Sequence, residues 1–377
     1  MDGNVTRRQF VKGAAVGAAG VALGANALQG AILRSEEKLK APPPAKILNH
    51  NENMEYRRLG KTNAWVSAVC MGGHWKRVEC MFPAKGEVNP YNGPKDEADM
   101  DPFMKNRAEV VAKCIDIGIN YIDACTGSEV KTYAKALKGR RDKVYLGYSF
   151  CEYEMRQPSW QSEEKLLEGL NQGLQEAGID HVDVWRITMH EEPRNQQRGT
   201  IHSQAHADAT VGALTKAQKA GKARFIGFSC HDREWIKEFI EKYPEIQVIC
   251  TPYTAGSKEK PKDSLFEAVR KCDVGVFGIK PFASNALFKG SSDPKDANAK
   301  DDDERARLAI RYILSNDAIT APIPGLISIH QVENMALAIQ ERRKMDQVDA
   351  RKFGEIQKDL WARIDPHHAW LKNWEYV

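Results

Sequence analysis

One short segment of the sequence ends an apolar run on an acidic side chain. Residues 120–130 read NYIDACTGSEV, in which Asp123 follows Tyr121 and Ile122. A carboxylate that a strand delivers into a site can pair with a cation or transfer a proton, but it is ionised near neutral pH unless burial raises its pKa. Asp123 therefore needs partners from other segments before it can support acid catalysis.

Residues of the types that bind zinc or iron occur at or just past the ends of several predicted strands. They are Cys125, Cys151, His190, Cys230, His231 and Cys250, joined by Asp123, Glu152, Glu191 and Asp232. Thiolate and imidazole ligands suit these metals. The spacing within each strand matches no metal motif, however, and a buried cysteine commonly packs as a small apolar side chain. We assign no metal ligand from the sequence, and a metal-binding rim stays an alternative.

The elements that must position these residues alternate between short apolar runs and amphipathic segments. The predicted strands are residues 66–71, 119–124, 144–150, 182–187, 223–229, 246–250, 275–279 and 318–323. The predicted helices include residues 105–118, 162–177, 209–220, 232–242, 264–272, 304–315 and 329–340. Repeated strand–helix units of this kind predict an α/β fold, a closed (β/α)8 TIM barrel. The alternative, an open doubly wound sheet, lacks the Gly-x-Gly-x-x-Gly turn after its first strand.

The chain ends and the bulk composition indicate an exported globular protein. Residues 6–12 read TRRQFVK and precede a Gly/Ala-rich run, which predicts a twin-arginine signal peptide over 1–27. We expect a linker over 28–53, the barrel over 54–345 and a C-terminal helix and tail over 346–377. The apolar run is shorter than the roughly 20 residues that span a bilayer. An uncleaved signal that anchors the protein is the alternative.

Charge and cysteine content exclude two further classes. The formal net charge is only +4 over 377 residues, with Lys and Arg scattered, so we expect no nucleic-acid partner. The eight cysteines include no CxxC pair, which argues against a disulfide framework or a zinc ribbon. The expected partners are a small-molecule substrate and the twin-arginine export machinery, in the periplasm or outside the cell.

Five stretches of the sequence resemble the aldo-keto reductase family, in the family's order. They are MEYRRLGKT at 54–62, MGGHW at 71–75, GINYIDACTGSE at 118–129, GKARFIGFS at 221–229 and IPGLISIHQVEN at 323–334. The resemblance implies a barrel closed at its base by an N-terminal hairpin. It also implies a nicotinamide cofactor, NADP or NAD, and hydride transfer on a carbonyl or alcohol, with sugars among the expected substrates.

The resemblance also implies which residues would hold the cofactor. Ser229 and Gln247 would bind the nicotinamide carboxamide, and Lys280 would lie beside the pyrophosphate. Pro324, Gly325 and Ser328 would bring a helix N-terminus to a phosphate, and Glu333 or Asn334 would contact adenine. No Arg or Lys lies between Pro324 and Asn334, so a preference for NADP, whose 2′-phosphate normally requires such a charge, is not implied.

The sequence departs from the family's catalytic tetrad of Asp, Tyr, Lys and His. Asp123 is retained, but the tyrosine position falls at residues 125–127, and Ser149 and Thr188 occupy the lysine and histidine positions. Tyr148 and His190 are the expected substitutes, which gives Asp123, Tyr148 and His190 as predicted catalytic residues. Strand alternation opposes this, because it points Tyr148 and Ser149 to opposite faces. The alternatives are a metal-dependent lyase, isomerase or hydrolase, and a non-catalytic binding protein.

Overall fold

A two-stranded hairpin precedes the central sheet and lies under one end of it. The computed structural model describes residues 42–189, 202–341 and 345–377. Strands β1 (Tyr56–Arg58) and β2 (Trp65–Ser67) are antiparallel. Leu59, which follows β1, and Val66, in the middle of β2, are buried in the barrel interior. Leu59 approaches Gly275 so closely that a Cβ there would lie 2.5 Å from its Cδ1. The hairpin therefore closes the base of the barrel, as predicted.

Seven parallel strands form the central sheet, and each pairs with the next in chain order. A separate antiparallel pair, β3 (Val88–Asn89) and β4 (Gly93–Pro94), precedes this sheet in the chain. The seven strands of the sheet are β5 (Tyr121–Ala124), β6 (Tyr145–Tyr148), β7 (Val182–Thr188), β8 (Ala223–Ser229), β9 (Val248–Pro252), β10 (Gly275–Ile279) and β11 (Ala321–Ile323). Residues on these strands are almost all buried on both faces, which is typical of parallel sheets covered by helices.

The segment at residues 70–72 closes this sheet into a barrel. It is too irregular to count as a strand, but Met71 pairs with Ile122 of β5 and Gly72 pairs with Gly325 beyond β11. The N–H groups of Cys70 and Gly72 donate to the carbonyls of Pro322 (3.0 Å) and Pro324 (2.8 Å). The (β/α)8 fold predicted from the sequence is confirmed. Seven of its strands are regular, and the first one in chain order is reduced to this bridge.

Helices follow the strands on the outside of the barrel. They are α1 (Met100–Asp116), α2 (Gly127–Ala136), α3 (Glu163–Ala177), α4 (Gln204–Lys219), α5 (Arg233–Lys242), α6 (Leu265–Cys272), α7 (Ala299–Leu314) and α8 (Ile329–Gln340). The side chain of Ser162 accepts a bond from the N–H of Lys165, and Gly178 ends α3 with a φ of 67°, so α3 matches the predicted helix over 162–177. The sequence missed α2, which Thr126 caps, and the first five residues of α7.

Two segments outside the predicted barrel also contact it. Residues 47–53 were assigned to the linker, yet Ile47 is buried and the side chain of Asn49 bonds to the carbonyl of Ile115 at 2.8 Å. At the other end, α9 (Gln347–Ala362) and α10 (Leu371–Trp374) bury Phe353, Leu360 and Leu371 in one cluster with α7. In the part of the chain that the structure describes, no helix combines the length and apolar character of a membrane span.

Candidate active site

A cavity of about 610 Å³ lies where the strands of the barrel end. Strand residues Asp123, Thr188, Ser229 and Ile279 form part of its floor, and Gly72 to His74 continue the wall after the closing segment. This is the carboxyl end of every parallel strand, where (β/α)8 enzymes carry their chemistry. The cavity is therefore the site against which each predicted residue can be judged.

Asp123 sits on the floor of this cavity in a buried ion pair with Arg186 of β7. The guanidinium of Arg186 donates from Nε to Oδ1 at 2.9 Å and contacts Oδ2 through a second nitrogen. The Tyr121 hydroxyl also donates to Oδ1, at 3.0 Å. Burial alone would lower the pKa of Arg186, but the charge of Asp123 raises it well above its ordinary value. Asp123 thus acts as the partner of a permanent cation.

Arg186 also reaches the positions that the family's lysine and histidine would occupy. One of its nitrogens lies 3.3 Å from Ser149 Oγ, and Ser149 Oγ lies 3.2 Å from Thr188 Oγ1. The sequence analysis missed Arg186. Its signal was an arginine inside an otherwise apolar strand, two residues before Thr188 and hence on the same face.

Tyr148 lies outside the cavity, which corrects the expectation that it donates the proton. Its ring is fully buried and points toward α3, where a Cβ at Gly173 would lie 2.3 Å from its hydroxyl oxygen. Burial raises the pKa of Tyr148 well above its ordinary value. Among the described residues this hydroxyl has no hydrogen-bond partner. Strand alternation, which turns Ser149 inward, turns Tyr148 outward. His190, the other expected substitute, falls outside the described residues.

Most residues expected to bind the cofactor come together on one wall of the cavity. These are Ser229, Lys280, Pro324, Gly325, Ser328 and Asn334. Ser328 caps α8 by accepting a bond from the N–H of Gln331 at 3.1 Å, so the helix N-terminus faces this wall. The buried guanidinium of Arg107 on α1 donates to the carbonyls of Leu326 (2.8 Å) and Ile327 (2.9 Å). This contact holds the loop before α8 in place.

Gln247 and Glu333 do not reach this wall, so the structure corrects both assignments. Gln247 precedes β9, at the opposite end of the barrel, where its side-chain oxygen accepts bonds from Gln218 (3.0 Å) and the N–H of Ile226 (3.1 Å). Glu333 points away from the cavity and pairs with Lys113 of α1 at 2.6 Å. The resemblance therefore pointed to the wrong end of the strand for Gln247 and to the wrong face of α8 for Glu333.

Lys280 is the basic group of this wall. Its pKa is lowered to about 8, mainly by burial and then by the charge of Lys76. Its ammonium lies 5.4 Å from the ring centroid of Trp370, which also stacks on His231 at 4.5 Å. Lys76 and Arg156 line the same cavity. Cations held close together in this way favour an anionic ligand, because its charge relieves their repulsion.

A second polar cluster lies at the cavity edge, formed by His74, Glu129 and Cys125. Glu129 is completely buried at the start of α2, and its carboxylate accepts bonds from His74 Nδ1 (2.9 Å) and from the N–H of Cys125 (2.7 Å). Cys125 Sγ lies 3.5 and 3.4 Å from the two ring nitrogens of His74. The ring of Tyr91 packs edge-on against His74 with a centroid separation of 4.6 Å.

The structure brings together only part of the rim of metal-binding residue types seen in the sequence. Cys151 joins Cys125, with 3.7 Å between the sulfur atoms. Cys230 instead lies 3.7 Å from His202, and Cys250 faces the barrel interior. The sequence analysis did not include His74 in the rim. Its signal was its place directly after the glycines that end the first apolar run.

A sequence model described as the Aldo/keto reductase family matches residues 97–356, and one for the twin-arginine translocation pathway signal sequence matches residues 4–24. The L-galactose dehydrogenase of Arabidopsis thaliana is 24% identical over 333 residues, which cover 81% of this chain and 94% of that protein. The L-glyceraldehyde 3-phosphate reductase of Escherichia coli strain K12 is 20% identical, over 82% and 95% of the two chains.

Solved structures share the fold. An aldo-keto reductase from Klebsiella pneumoniae, in complex with NADPH, superposes with a TM-score of 0.59 at 19% identity, over 81% of this chain and 95% of that one. The holo form of an aldo-keto reductase from Bacillus halodurans gives a TM-score of 0.55 at 19% identity, over 80% and 96%. At such low identity these likenesses concern the fold alone.

Proposed function

The chain belongs to the aldo/keto reductase family, and from this premise we propose that it is an NAD(P)-linked oxidoreductase with an altered catalytic centre. It would transfer hydride between a nicotinamide and a carbonyl or alcohol. One observation carries the proposal. The cavity joins a wall of the cofactor-type residues, among them Ser229, Lys280 and Ser328, to a floor that holds Asp123 and Arg186.

In this proposal the wall binds the cofactor and the floor binds the reacting group. The hydroxyl of Ser229 is suited to the nicotinamide amide, because it is neutral and can donate or accept a hydrogen bond. Lys280 and the N-terminus of α8 are suited to the phosphates. Arg186, held by Asp123, takes the place of the family's lysine as the buried cation.

The relatives indicate the substrate class that we propose. L-galactose and L-glyceraldehyde 3-phosphate, which the names of two relatives contain, are a sugar and a phosphorylated triose. The basic side chains of Lys76 and Arg156 around the cavity suit a polyhydroxy substrate that carries an acidic group. The twin-arginine signal supports a site of action in the periplasm.

Cofactor binding tests this proposal. NADPH and NADH are titrated into the protein while tryptophan fluorescence is followed, in the wild type and in Lys280→Met, Lys280→Arg and Lys271→Met. We expect saturable binding that weakens roughly 10–100-fold in Lys280→Met, because a charge-assisted contact to phosphate is lost. Lys280→Arg keeps the charge. Lys271, on α6, is exposed and does not line the cavity, so Lys271→Met serves as the matched control.

The same titrations carried out at several pH values test the charge of Lys280. The free protein loses the Lys280 proton as the pH rises through about 8, whereas bound phosphate retains it. Affinity is therefore constant below that pH and falls above it in the wild type, but not in Lys280→Arg. The groups that face Lys280 are Lys76, Arg156, His231, His368, Cys125, Cys250, Glu375 and the ring of Trp370.

Failure of both cofactors to bind folded, nucleotide-free protein would refute the proposal.

A further inference from the structure

We propose that His74, oriented by Glu129, is the proton donor of the carbonyl reduction and replaces the family's tyrosine; this role rests on the proposed function. The tyrosine position falls at residues 125–127, where the sequence reads Cys-Thr-Gly. The ring of His74 lies against this segment, with Nε2 at 3.4 Å from Cys125 Sγ. The imidazole is therefore next to the position that the phenol has left.

Glu129 fixes the orientation of the histidine. Its side chain is completely buried, and Oε1 accepts bonds from the backbone N–H of His74 (2.5 Å) and from the ring Nδ1 (2.9 Å). Oε2 accepts a bond from the N–H of Cys125 at 2.7 Å. An ionised carboxylate only accepts hydrogen bonds, so Nδ1 carries a hydrogen. Nε2 is then the nitrogen that can pass a proton to a ligand.

The turn that carries His74 is built around this carboxylate. His74 has a φ of 56°, a left-handed conformation that few residues other than glycine adopt. A Cβ at Gly73 would lie 2.0 Å from Oε2 of Glu129, so glycine is needed for this close approach. Unusual backbone conformations that the surroundings hold in place concentrate at functional sites. The turn therefore supports a role for His74 beyond packing.

His74 is accessible to a ligand in the cavity. Its side chain is 36% exposed, and it lines the cavity together with Asp123 and Arg186. Among the described residues, Nε2 contacts one hydrogen-bonding atom, Cys125 Sγ. The bond with Cys151 and then burial raise the pKa of the Cys125 thiol well above its ordinary value. This thiol therefore stays neutral and does not compete for the proton of Nε2.

The reaction balances with one proton from His74. A bound, reduced nicotinamide supplies hydride to the carbonyl carbon and is thereby oxidised. The Nε2–H bond of the His74 imidazolium breaks as the carbonyl oxygen, which receives the electron pair of the C=O π bond, forms the O–H bond of the alcohol. The neutral imidazole then takes a proton from the solvent. Arg186 stays charged throughout and stabilises the negative charge that develops on the oxygen.

Glu152 is the other acid in the cavity that competes for this role. Its pKa is raised to about 7, mainly by burial, and its Oε2 has no hydrogen-bond partner among the described residues. No contact therefore orients this oxygen. His74 fits the role better, because it contacts the segment at 125–127 and Glu129 fixes its ring.

Chemical rescue and substituent effects test the assignment in the full-length protein. L-glyceraldehyde 3-phosphate and a series of para-substituted benzaldehydes are the probes, and kcat and KM are measured. We expect kcat of His74→Ala to fall roughly 100–10,000-fold and added imidazole to restore part of it. The loss should be smallest for para-nitrobenzaldehyde, because its less basic alkoxide needs the least help from an acid. Glu129→Gln should lower kcat by a smaller factor, leave KM unchanged and not respond to imidazole.

His181→Ala is the matched control. Nδ1 of His181 also pairs with a carboxylate, that of Asp180 at 2.5 Å, but His181 does not line the cavity. This variant should keep the wild-type kcat. Circular dichroism shows whether each variant folds, and His74→Gln, which can keep a bond to the carboxylate, is measured in the same series in case His74→Ala does not fold.

Three results would overturn the proposal in protein that binds a nicotinamide. They are wild-type kcat in the His74 variants, a loss that is equal for all benzaldehydes and unaffected by imidazole, and a larger loss in Glu152→Gln. A wild-type protein that binds nicotinamide but reduces none of the probes would also overturn it. Failure of NADPH and NADH to bind, by contrast, refutes the proposed function itself, so the two failures are distinguishable.

Discussion

At the scale of the residue, the central change is that Asp123 is paired with arginine. An arginine stays protonated throughout the physiological range and cannot pass a proton on, whereas a lysine can tune a neighbouring phenol. The pair is buried, with side-chain exposures of 4% for Arg186 and 6% for Asp123. The protein therefore depends on this pair for stability as well as for the shape of the cavity floor.

Removal of the arginine should destabilise the fold strongly. Arg186→Met leaves the Asp123 carboxylate buried without its cation, which costs about 3–5 kcal/mol in the free energy of unfolding. Urea unfolding followed by circular dichroism measures this cost. A second substitution, Asp123→Leu, should restore part of the loss in the double variant, because the unpaired charge is then gone.

The control for this prediction is an exposed ion pair. Arg270→Met removes the contacts of Arg270 to Glu259 and Asp317, in which the arginine side chain is 41% exposed. That substitution should cost about 1 kcal/mol or less. Equal losses in Arg186→Met and Arg270→Met would show that the Asp123 pair is not a buried, mutually dependent pair.

At the scale of the element, two buried tyrosines differ in what their hydroxyls do. Tyr133 of α2 accepts a bond from Trp75 Nε1 and donates to the carbonyl of Gly72, both at 2.9 Å. It thereby ties the helix to the turn that presents His74. Tyr148 of β6 fills space against Gly173 of α3. The Tyr133 hydroxyl therefore links two elements, whereas Tyr148 contributes to packing through its ring and its hydroxyl has no hydrogen-bond partner among the described residues.

Removal of each hydroxyl should separate these roles. Tyr133→Phe leaves the indole N–H and the Gly72 carbonyl without their partner and should cost about 1–3 kcal/mol of unfolding free energy. Tyr148→Phe should change stability by less than about 1 kcal/mol and leave turnover unchanged. Denaturant unfolding and a carbonyl-reduction assay measure both effects. Loss of turnover in Tyr148→Phe without loss of stability would return Tyr148 to the catalytic residues.

Element by element, the sequence predicted what depends on local pattern and missed what depends on partners. Alternation placed β8 and β10 within their observed bounds and turned Tyr148 away from Ser149. Gln247 was assigned from the family resemblance alone, although the predicted strand over 246–250 already placed it at the amino end, away from the cavity. The short helix α2 has few apolar positions, and its one sequence signal, the capping pattern from Thr126 to Glu129, was not used.

The site was less predictable than the fold for a physical reason. Asp123, Ser229 and Ser328 lie in family-like stretches, whereas the contact of His74 with Cys125 and Glu129 joins two stretches that no spacing rule connects. Arg186 was visible as a charge within an apolar strand, but only the structure shows that Asp123 is its partner. A site whose residues are close in space but far apart in the chain cannot be recognised from the residue spacing of one sequence.

At the scale of the whole molecule, the C-terminal tail forms part of the cavity wall. His367, His368 and Trp370 line the cavity. The buried carboxylate of Glu375 fixes the tail by pairing with Arg233 at 2.6 Å and by contacting Ser257. The tail is thus joined to the start of α5 and to the loop after β9. Ligand exchange is expected to depend on it.

Loss of the tail's aromatic side chain should therefore speed cofactor release. Trp370→Ala removes a ring that lines the cavity, where it stacks on His231 and faces Lys280. If the bound cofactor thereby loses about 1 kcal/mol of contact with this wall, the dissociation rate constant should rise roughly fivefold. Stopped-flow fluorescence with a displacing nucleotide measures this rate. Trp361→Ala is the control, because Trp361 lies on α9 and does not line the cavity. Equal dissociation rates in both variants would show that the tail does not retain the cofactor.

The closing segment of the barrel has a consequence for the order of events in the cell. Gly72 pairs with Gly325, so this pairing cannot form until the ribosome has synthesised the chain as far as Gly325. The ring cannot shut until nearly the whole chain has left the ribosome, long after the twin-arginine signal at residues 4–24 has emerged. Closure of the barrel therefore cannot precede the synthesis of Gly325. The twin-arginine pathway, whose signal sequence this chain carries, accepts folded proteins and is therefore compatible with a barrel that closes late.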